Sequence, residues 1–300
     1  MKIGVFVFAT EYSTDPAILA QRAEALGFAS FWVPEHTVMP VHYRSRYPSS
    51  AGGKERDAHY ARLLAQTFAG RPDSYDRILD PFVALARASA VTHRIELGTG
   101  ICLVPEHNPL LLAKRVATLD ACCGGRFVFG IGAGWLREEA EVMGADFPRR
   151  WTQTADAVRA MQQLWTRQES SYAGRYYRFP ALRSFPKPAR KPHPPVLLGS
   201  MNARVFQRIV DWGDGWIPAR VTVEEIAAGR AALNTLAEQA GRDPQTLTIV
   251  AFGMPGEFRT AEELAGLERA GADQVTIWLT QTEGDEALAE LEALAATLLS

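Results

Sequence analysis

Residues 95–134 read IELGTGICLVPEHNPLLLAKRVATLDACCGGRFVFGIGAG, and their order decides the fold. The run 95–100 is a short strand. Asn108-Pro109 then opens a helix: the asparagine oxygen can accept from orphan amides of the first turn, and the proline loses nothing by lacking its own N–H. Gly124 ends it, because glycine tolerates the left-handed conformation that helix ends adopt. The run 126–131 is a second strand. A strand, a capped helix and a strand make one βα crossover of a parallel sheet.

The same punctuation recurs on both sides. Strand 3–8 is followed by Thr14-Asp15-Pro16, which opens a helix stopping at Gly27; 31–33 is a second strand; Asp80-Pro81 starts a helix running to about Thr92. Downstream, a helix over 150–167 leads to a strand at 195–199, a short one at 215–217, and others at 247–252 and 275–279, with helices around them. Thr260 and Glu263 form a capping box, and 286–298 closes as a helix. Alternation alone also suits an open doubly wound sheet. Eight units in a chain of 300 residues favour a (β/α)8 TIM barrel, read as one domain over 1–300.

Composition narrows the partners. Hydrophobic residues are 47% and charged ones 22%, enough apolar surface for a sizeable core. With 32 basic and 34 acidic residues the formal charge is −2, which gives no general positive field for nucleic acid. No apolar run approaches the ~20 residues of a membrane span, and MKIGVFVFAT lacks the marks of an export signal, so a cytoplasmic protein acting on a small molecule is expected. Cys102, Cys122 and Cys123 form no CxxC pair and read as reduced, buried thiols.

Two stretches break the rhythm. A long insertion after strand 2 spans 34–80 and includes Ser49-Ser50-Ala51-Gly52-Gly53. On a barrel it overhangs the C-terminal mouth and reads as a substrate lid, or else as a surface insertion. An excursion between helix 4 and strand 5, 167–194, holds seven Lys/Arg against Glu169 alone, with Tyr172, Tyr176, Tyr177, Phe179 and Phe185 interleaved. It reads either as a face for an anionic ligand or as a solvated surface packed through its aromatics.

Common fingerprints are missing. Gly130-Ile131-Gly132-Ala133-Gly134 starts like a dinucleotide loop, but Trp135 takes the third glycine position; there is no phosphate loop, zinc-protease motif or nucleophile elbow. No metal site is expected. What remains lies at strand ends, where barrels keep their chemistry. Glu35 and His36 offer a carboxylate and an imidazole, the latter titrating near neutrality. Their adjacency points the side chains apart, so Glu35 reads as solvating the loop rather than orienting His36. Gly98, Gly100 and Ile101, and then Ala133 and Gly134, offer bare backbone to a flat ligand, with the Trp135 indole beside them; tightening of the core by small residues is the competing reading. Gly199, Ser200, Met201 and Asn202 precede a helix whose amides suit an anion such as phosphate, unless Ser200 or Asn202 simply caps it. Together these describe a flavin-like site.

The blocks LGFASFWVPEH, DPFVALARASAVTHRIELGTG, NPLLLAKRVATLDACCGGRFVFGIGAGWLREE, FPKPARKPHPPVLLGS and GDGWIP resemble the bacterial luciferase-like flavin-dependent monooxygenase superfamily, and most of all its branch of probable coenzyme F420-dependent oxidoreductases. The resemblance runs from Ile3 to about Pro218. It implies a TIM barrel binding F420 or FMN at the C-terminal mouth and a homodimer. Within it His36 matches a proton-handling histidine, and Gly100-Ile101 matches a bulge with a non-prolyl cis peptide. Gly199 to Asn202 match the phosphate segment; Ala133, Gly134 and Trp135 match a wall of the ring and substrate pocket. Sugar-phosphate dehydrogenases of the family carry a glutamate where this chain has Trp135, so an apolar or aromatic substrate is expected. The resemblance and the basic 167–194 stretch favour F420 with hydride transfer; an FMN monooxygenase using O2 is the alternative. A cofactor-free lyase using Glu35 and His36, or a non-catalytic flavin-binding barrel, remains open.

Overall fold

The computed structural model describes residues 1–47 and 53–299; the Ser49 to Gly52 part of the insertion lies outside them. Its strands are β1 (Lys2–Phe6), β2 (Ser30–Val33), β3 (Glu96–Thr99), β4 (Cys102–Leu103), β5 (Phe127–Gly132), β6 (Ser170–Ala173), β7 (Arg178–Leu182), β8 (Val196–Leu198), β9 (Gly215–Trp216), β10 (Thr248–Phe252) and β11 (Gln274–Trp278). Its α-helices are α1 (Pro16–Leu26), α2 (Gly53–Thr67), α3 (Pro81–Ser89), α4 (Pro109–Cys122), α5 (Arg137–Val142), α6 (Arg150–Thr166), α7 (Arg204–Trp212), α8 (Val223–Gln239), α9 (Ala261–Arg269) and α10 (Gly284–Leu298).

The parallel strands run β3-β2-β1-β11-β10-β9-β8-β5, and β3 pairs again with β5 through Leu97 and Phe127, which closes the cylinder. That closing ladder separates a (β/α)8 barrel from an open sheet. β4 is a two-residue extension beside the end of β5. The caps act as their residue types dictate: Asp15 accepts from Ala17 N, Asn108 from Leu110 N, and Gly27 takes φ 100°.

Successive strand residues face opposite ways, so two cores form. Phe31, Phe127 and Phe129 pack outward under the helices, while Phe6, Trp32, Val128, Leu197, Val250, Phe252 and Trp278 fill the barrel. Trp32 needs Gly98 opposite it, where a Cβ would lie 2.1 Å from the indole.

The two irregular stretches resolve differently. Helix α2 caps the mouth: Tyr60 is buried in the inner core, with Leu63, Leu64 and Phe68 packed on it. Arg56 ties α2 to the far rim through Glu225 at 2.8 Å and the Arg220 carbonyl at 3.1 Å. The 167–194 excursion folds as the antiparallel β6–β7 ribbon. Tyr172 and Tyr176 donate to Asp156 and Asp146, Phe179 is buried, Arg183 pairs with Glu169, and Lys187 caps carbonyls of α6 and its end. These contacts favour the surface packed through its aromatics, while Arg178 and Phe185 stay exposed and Arg190 Nη1 has no hydrogen-bond partner. Of the cysteines, Cys102 and Cys123 are buried, but Cys122 is exposed.

Candidate active site

The peptide Gly100-Ile101 is cis, the geometry that the family resemblance implies there. Ile101 fills space that Gly132 and Gly199 leave open: Cβ atoms on them would fall 2.0 Å and 3.1 Å from its side chain. Those two glycines therefore accommodate Ile101. Gly100 is held for a similar reason, since its Cβ would meet the Phe252 ring at 2.8 Å.

His36 leaves β2 at the mouth, with its Nδ1 2.6 Å from Glu139 Oε2. Glu139 lies on α5 and is fully buried. Its other oxygen accepts from the Thr37 and Val38 amides at 2.8 and 3.3 Å, so the carboxylate grips the whole turn after β2. With Nδ1–H donating to Glu139, Nε2 is left to accept or deliver a proton. Tyr75 and Trp135 flank the imidazole, ring centres 5.8 and 6.1 Å away.

Sequence reasoning missed Glu139. Its signal is a carboxylate seven positions after Gly132 in the helix following a strand, and only the turn of α5 brings it back to His36.

Glu35 corrects the expectation set for it. It neither orients His36 nor reaches solvent; it is 5% exposed and bonded to the Leu103 amide and His107 Nε2, the latter at 3.0 Å. Burial pushes its carboxyl up, but His107 and the Leu103 amide outweigh that and hold it below the usual range. Glu35, Cys102 and His107 bring potential ligand atoms within 4.8 Å of one another. Burial and Glu35 push the Cys102 thiol well above its ordinary range, and the three form a buried hydrogen-bonded cluster.

Glu106 was not foreseen either. It is 4% exposed, and neither carboxyl oxygen has a hydrogen-bond partner. Burial, then Glu139 and Glu35, push it up to about 9. It stands behind Gly134, whose Cβ would lie 3.1 Å from its Oε1.

Trp135 is roofed by the insertion, with Tyr43 and Tyr47 ring centres 6.2 and 5.3 Å away. Ala133 is buried beneath it. Glu138 anchors the same loop by accepting from Arg44 N at 2.7 Å and Ser45 Oγ at 2.6 Å.

At the β8 end, the Ser200 carbonyl accepts from Trp216 Nε1 at 2.8 Å, Asn202 Oδ1 accepts from Arg204 N at 3.0 Å, and Met201 is exposed. Asn202 thus occupies one amide of α7 as a cap would. Under α2, a cavity of about 730 Å³ is lined by the apolar Phe8, Leu63, Phe68 and Trp278 and as much by polar and charged residues, Arg71 and Glu286 among them.

Residues 1–264 match the family model of the luciferase-like monooxygenases. The chain belongs to that family. Among its luciferase-like relatives, an uncharacterized protein of Mycobacterium tuberculosis is 35% identical over 303 residues, 99% of each chain. The F420-dependent hydroxymycolic acid dehydrogenase of the same organism is 27% identical over 280 residues, 91% of this chain and 68% of the other. The coenzyme F420-dependent tetrahydromethanopterin reductase of Methanopyrus kandleri superposes with a TM-score of 0.71 at 16% identity, over 100% and 99% of the two chains, a likeness of fold. Among the described residues of this luciferase-like chain, no helix is long and apolar enough to cross a membrane.

Proposed function

We infer that this luciferase-like enzyme is an F420-dependent oxidoreductase that moves hydride between the deazaflavin and a small apolar or aromatic substrate. The observation that carries the reading is the His36–Glu139 pair at the barrel mouth: an imidazole with one nitrogen fixed by a buried carboxylate and the other available. The relative named as an F420-dependent dehydrogenase supports the choice of deazaflavin.

The residues present fit such a group. A buried, unpartnered guanidinium nitrogen of Arg208 suits an anion near the β8 end. When bound, the deazaflavin supplies a ring carbon that gives or takes hydride. His36 Nε2 holds the accompanying proton, Glu139 orients the ring, and Trp135 with the Tyr43 and Tyr47 roof excludes water. Trp135 under the Tyr43 and Tyr47 rings favours an apolar or aromatic substrate. Gly100, Ile101, Ala133 and Gly134 would line the ring, and Gly199, Ser200, Met201 and Asn202 the phosphate.

Titration of the protein with F420 and with FMN, followed by absorbance and fluorescence after dialysis, tests the reading. Retained F420 and no retained FMN is the expected result. The reverse would replace hydride transfer by an FMN monooxygenase, a reading the family description also supports. In the F420 case, His36→Ala should lower turnover about 10²–10⁴-fold while cofactor affinity stays within a few-fold.

A further inference from the structure

The rim between β5 and β8 carries positive charge that the chain does not balance. Arg150 opens α6, Arg204 opens α7, and Arg208 lies one turn further along the same helix. The planes of two are fixed by aromatic rings: Arg150 stands 4.0 Å from the Phe147 ring centre and Arg208 4.7 Å from that of Trp151. Arg150 Nε donates to the Gly134 carbonyl at 3.0 Å, which sets it beside the strand-end backbone.

Among the described residues no carboxylate pairs with any of the three. Their neighbours Arg137 and Arg149 do have partners, Glu141 and Asp146. Arg126, Arg230 and Arg242 elsewhere are spent on backbone carbonyls or aspartates. Arg208 Nη1 is buried with no hydrogen-bond partner, a condition that Arg190 Nη1 and Arg259 Nε share. Burial first, then Arg204 and Arg150, push its proton affinity down, and Arg150 is itself lowered by burial and Arg137. Like charges are thus held near one another by stacking rings and helix starts, an arrangement that an anion between them would complete.

The amount of charge points to the kind of anion. One terminal phosphate brings about −2, less than three guanidinium groups call for. Planar, forked donors also suit carboxylates as well as phosphate oxygens. Ser200 and Met201 give the cradle side chains where bare backbone would hold a phosphate by amides alone, so side-chain donors take a larger share.

We propose that Arg150, Arg204 and Arg208 form a subsite for the acidic tail of the coenzyme, a phosphodiester continued by carboxylates, laid across the starts of α6 and α7. It rests on the deazaflavin reading above, and it assigns the discrimination between F420 and FMN to this rim rather than to the ring pocket.

The test is fluorescence titration of the full chain with three probes: F420 with its tail, the deazaflavin chromophore lacking phosphate and tail, and FMN. Wild type should bind F420 at least about a hundredfold more tightly than the bare chromophore, and that advantage should shrink as salt rises. Arg204→Gln with Arg208→Gln should abolish most of it while chromophore affinity and the thermal midpoint stay unchanged. Arg204→Gln alone, at an exposed position, should move affinity the same way and keeps the test open if the double variant unfolds. Equal binding of F420 and chromophore, or a tail preference that survives both substitutions, overturns the subsite and leaves the deazaflavin reading standing. Binding of FMN with neither deazaflavin bound overturns both.

Discussion

Glu106→Gln should change how the stability of this protein depends on pH. The carboxyl is 4% exposed, has no partner at either oxygen, and is pushed from an ordinary 4.5 up to about 9 by burial and by Glu139 and Glu35. The folded chain therefore keeps a proton that the unfolded chain releases above pH 4.5. Stability from this group is full at acid pH and is lost as pH rises toward 9. Each pH unit inside that window costs about 1.4 kcal/mol, so from pH 5 to pH 8 the loss is on the order of 4 kcal/mol. Glutamine has the same shape and cannot ionise. Denaturant unfolding of wild type and Glu106→Gln at each pH from 5 to 8 should show the variant gaining on the wild type by several kcal/mol across the range. All other titrations are common to both proteins and drop out of the difference. Parallel stability curves would mean that Glu106 is already ionised in the folded chain, and the account of three buried glutamates behind the mouth would be wrong.

Other outcomes follow from particular contacts. Glu139→Gln should lower turnover by about tenfold or more, with cofactor affinity kept within a few-fold; unchanged turnover would take Glu139 out of the proton path. Gly98→Ala places a Cβ 2.1 Å from the Trp32 ring and should cost about 1–3 kcal/mol in unfolding experiments. Gly70→Ala, with nothing within 4 Å, is its neutral control. Arg56→Met removes the tie between α2 and Glu225, a partly exposed pair worth about 0.2–1 kcal/mol. Limited proteolysis within 53–67 should quicken by a few-fold while the global unfolding midpoint holds; unchanged cleavage would show that α2 is held by Tyr60 and its apolar face alone.

The repeating units were legible in the sequence because their signals are local. Asp15-Pro16, Asn108-Pro109 and Thr260 with Glu263 cap the helices they announce, and all eight barrel strands appear within a residue or two of where their apolar runs lie. Helix α2 was not legible: most of its residues are polar, and the apolar ones it buries find their partners across the mouth. The 167–194 excursion left two readings open because a run of basic residues says nothing about whether carbonyls and carboxylates wait beside it, as Asp156, Glu169 and the end of α6 do.

For the site the division is sharper. Chain order alone put His36, Gly100, Ile101, Ala133, Gly134, Trp135 and Gly199 to Asn202 at strand ends, since a barrel brings every such end to one face. Only the tertiary structure decided which carboxylate serves His36. Glu35 is its neighbour in sequence, yet an extended segment sends adjacent side chains opposite ways, into the His107 knot for one and toward α5 for the other. Glu139 is 103 residues distant and reaches the imidazole because β2 and β5 end at the same rim. The unpaired guanidinium groups at α6 and α7 belong to that second kind of knowledge: sequence counts charges, but packing alone shows which of them lack a counterion.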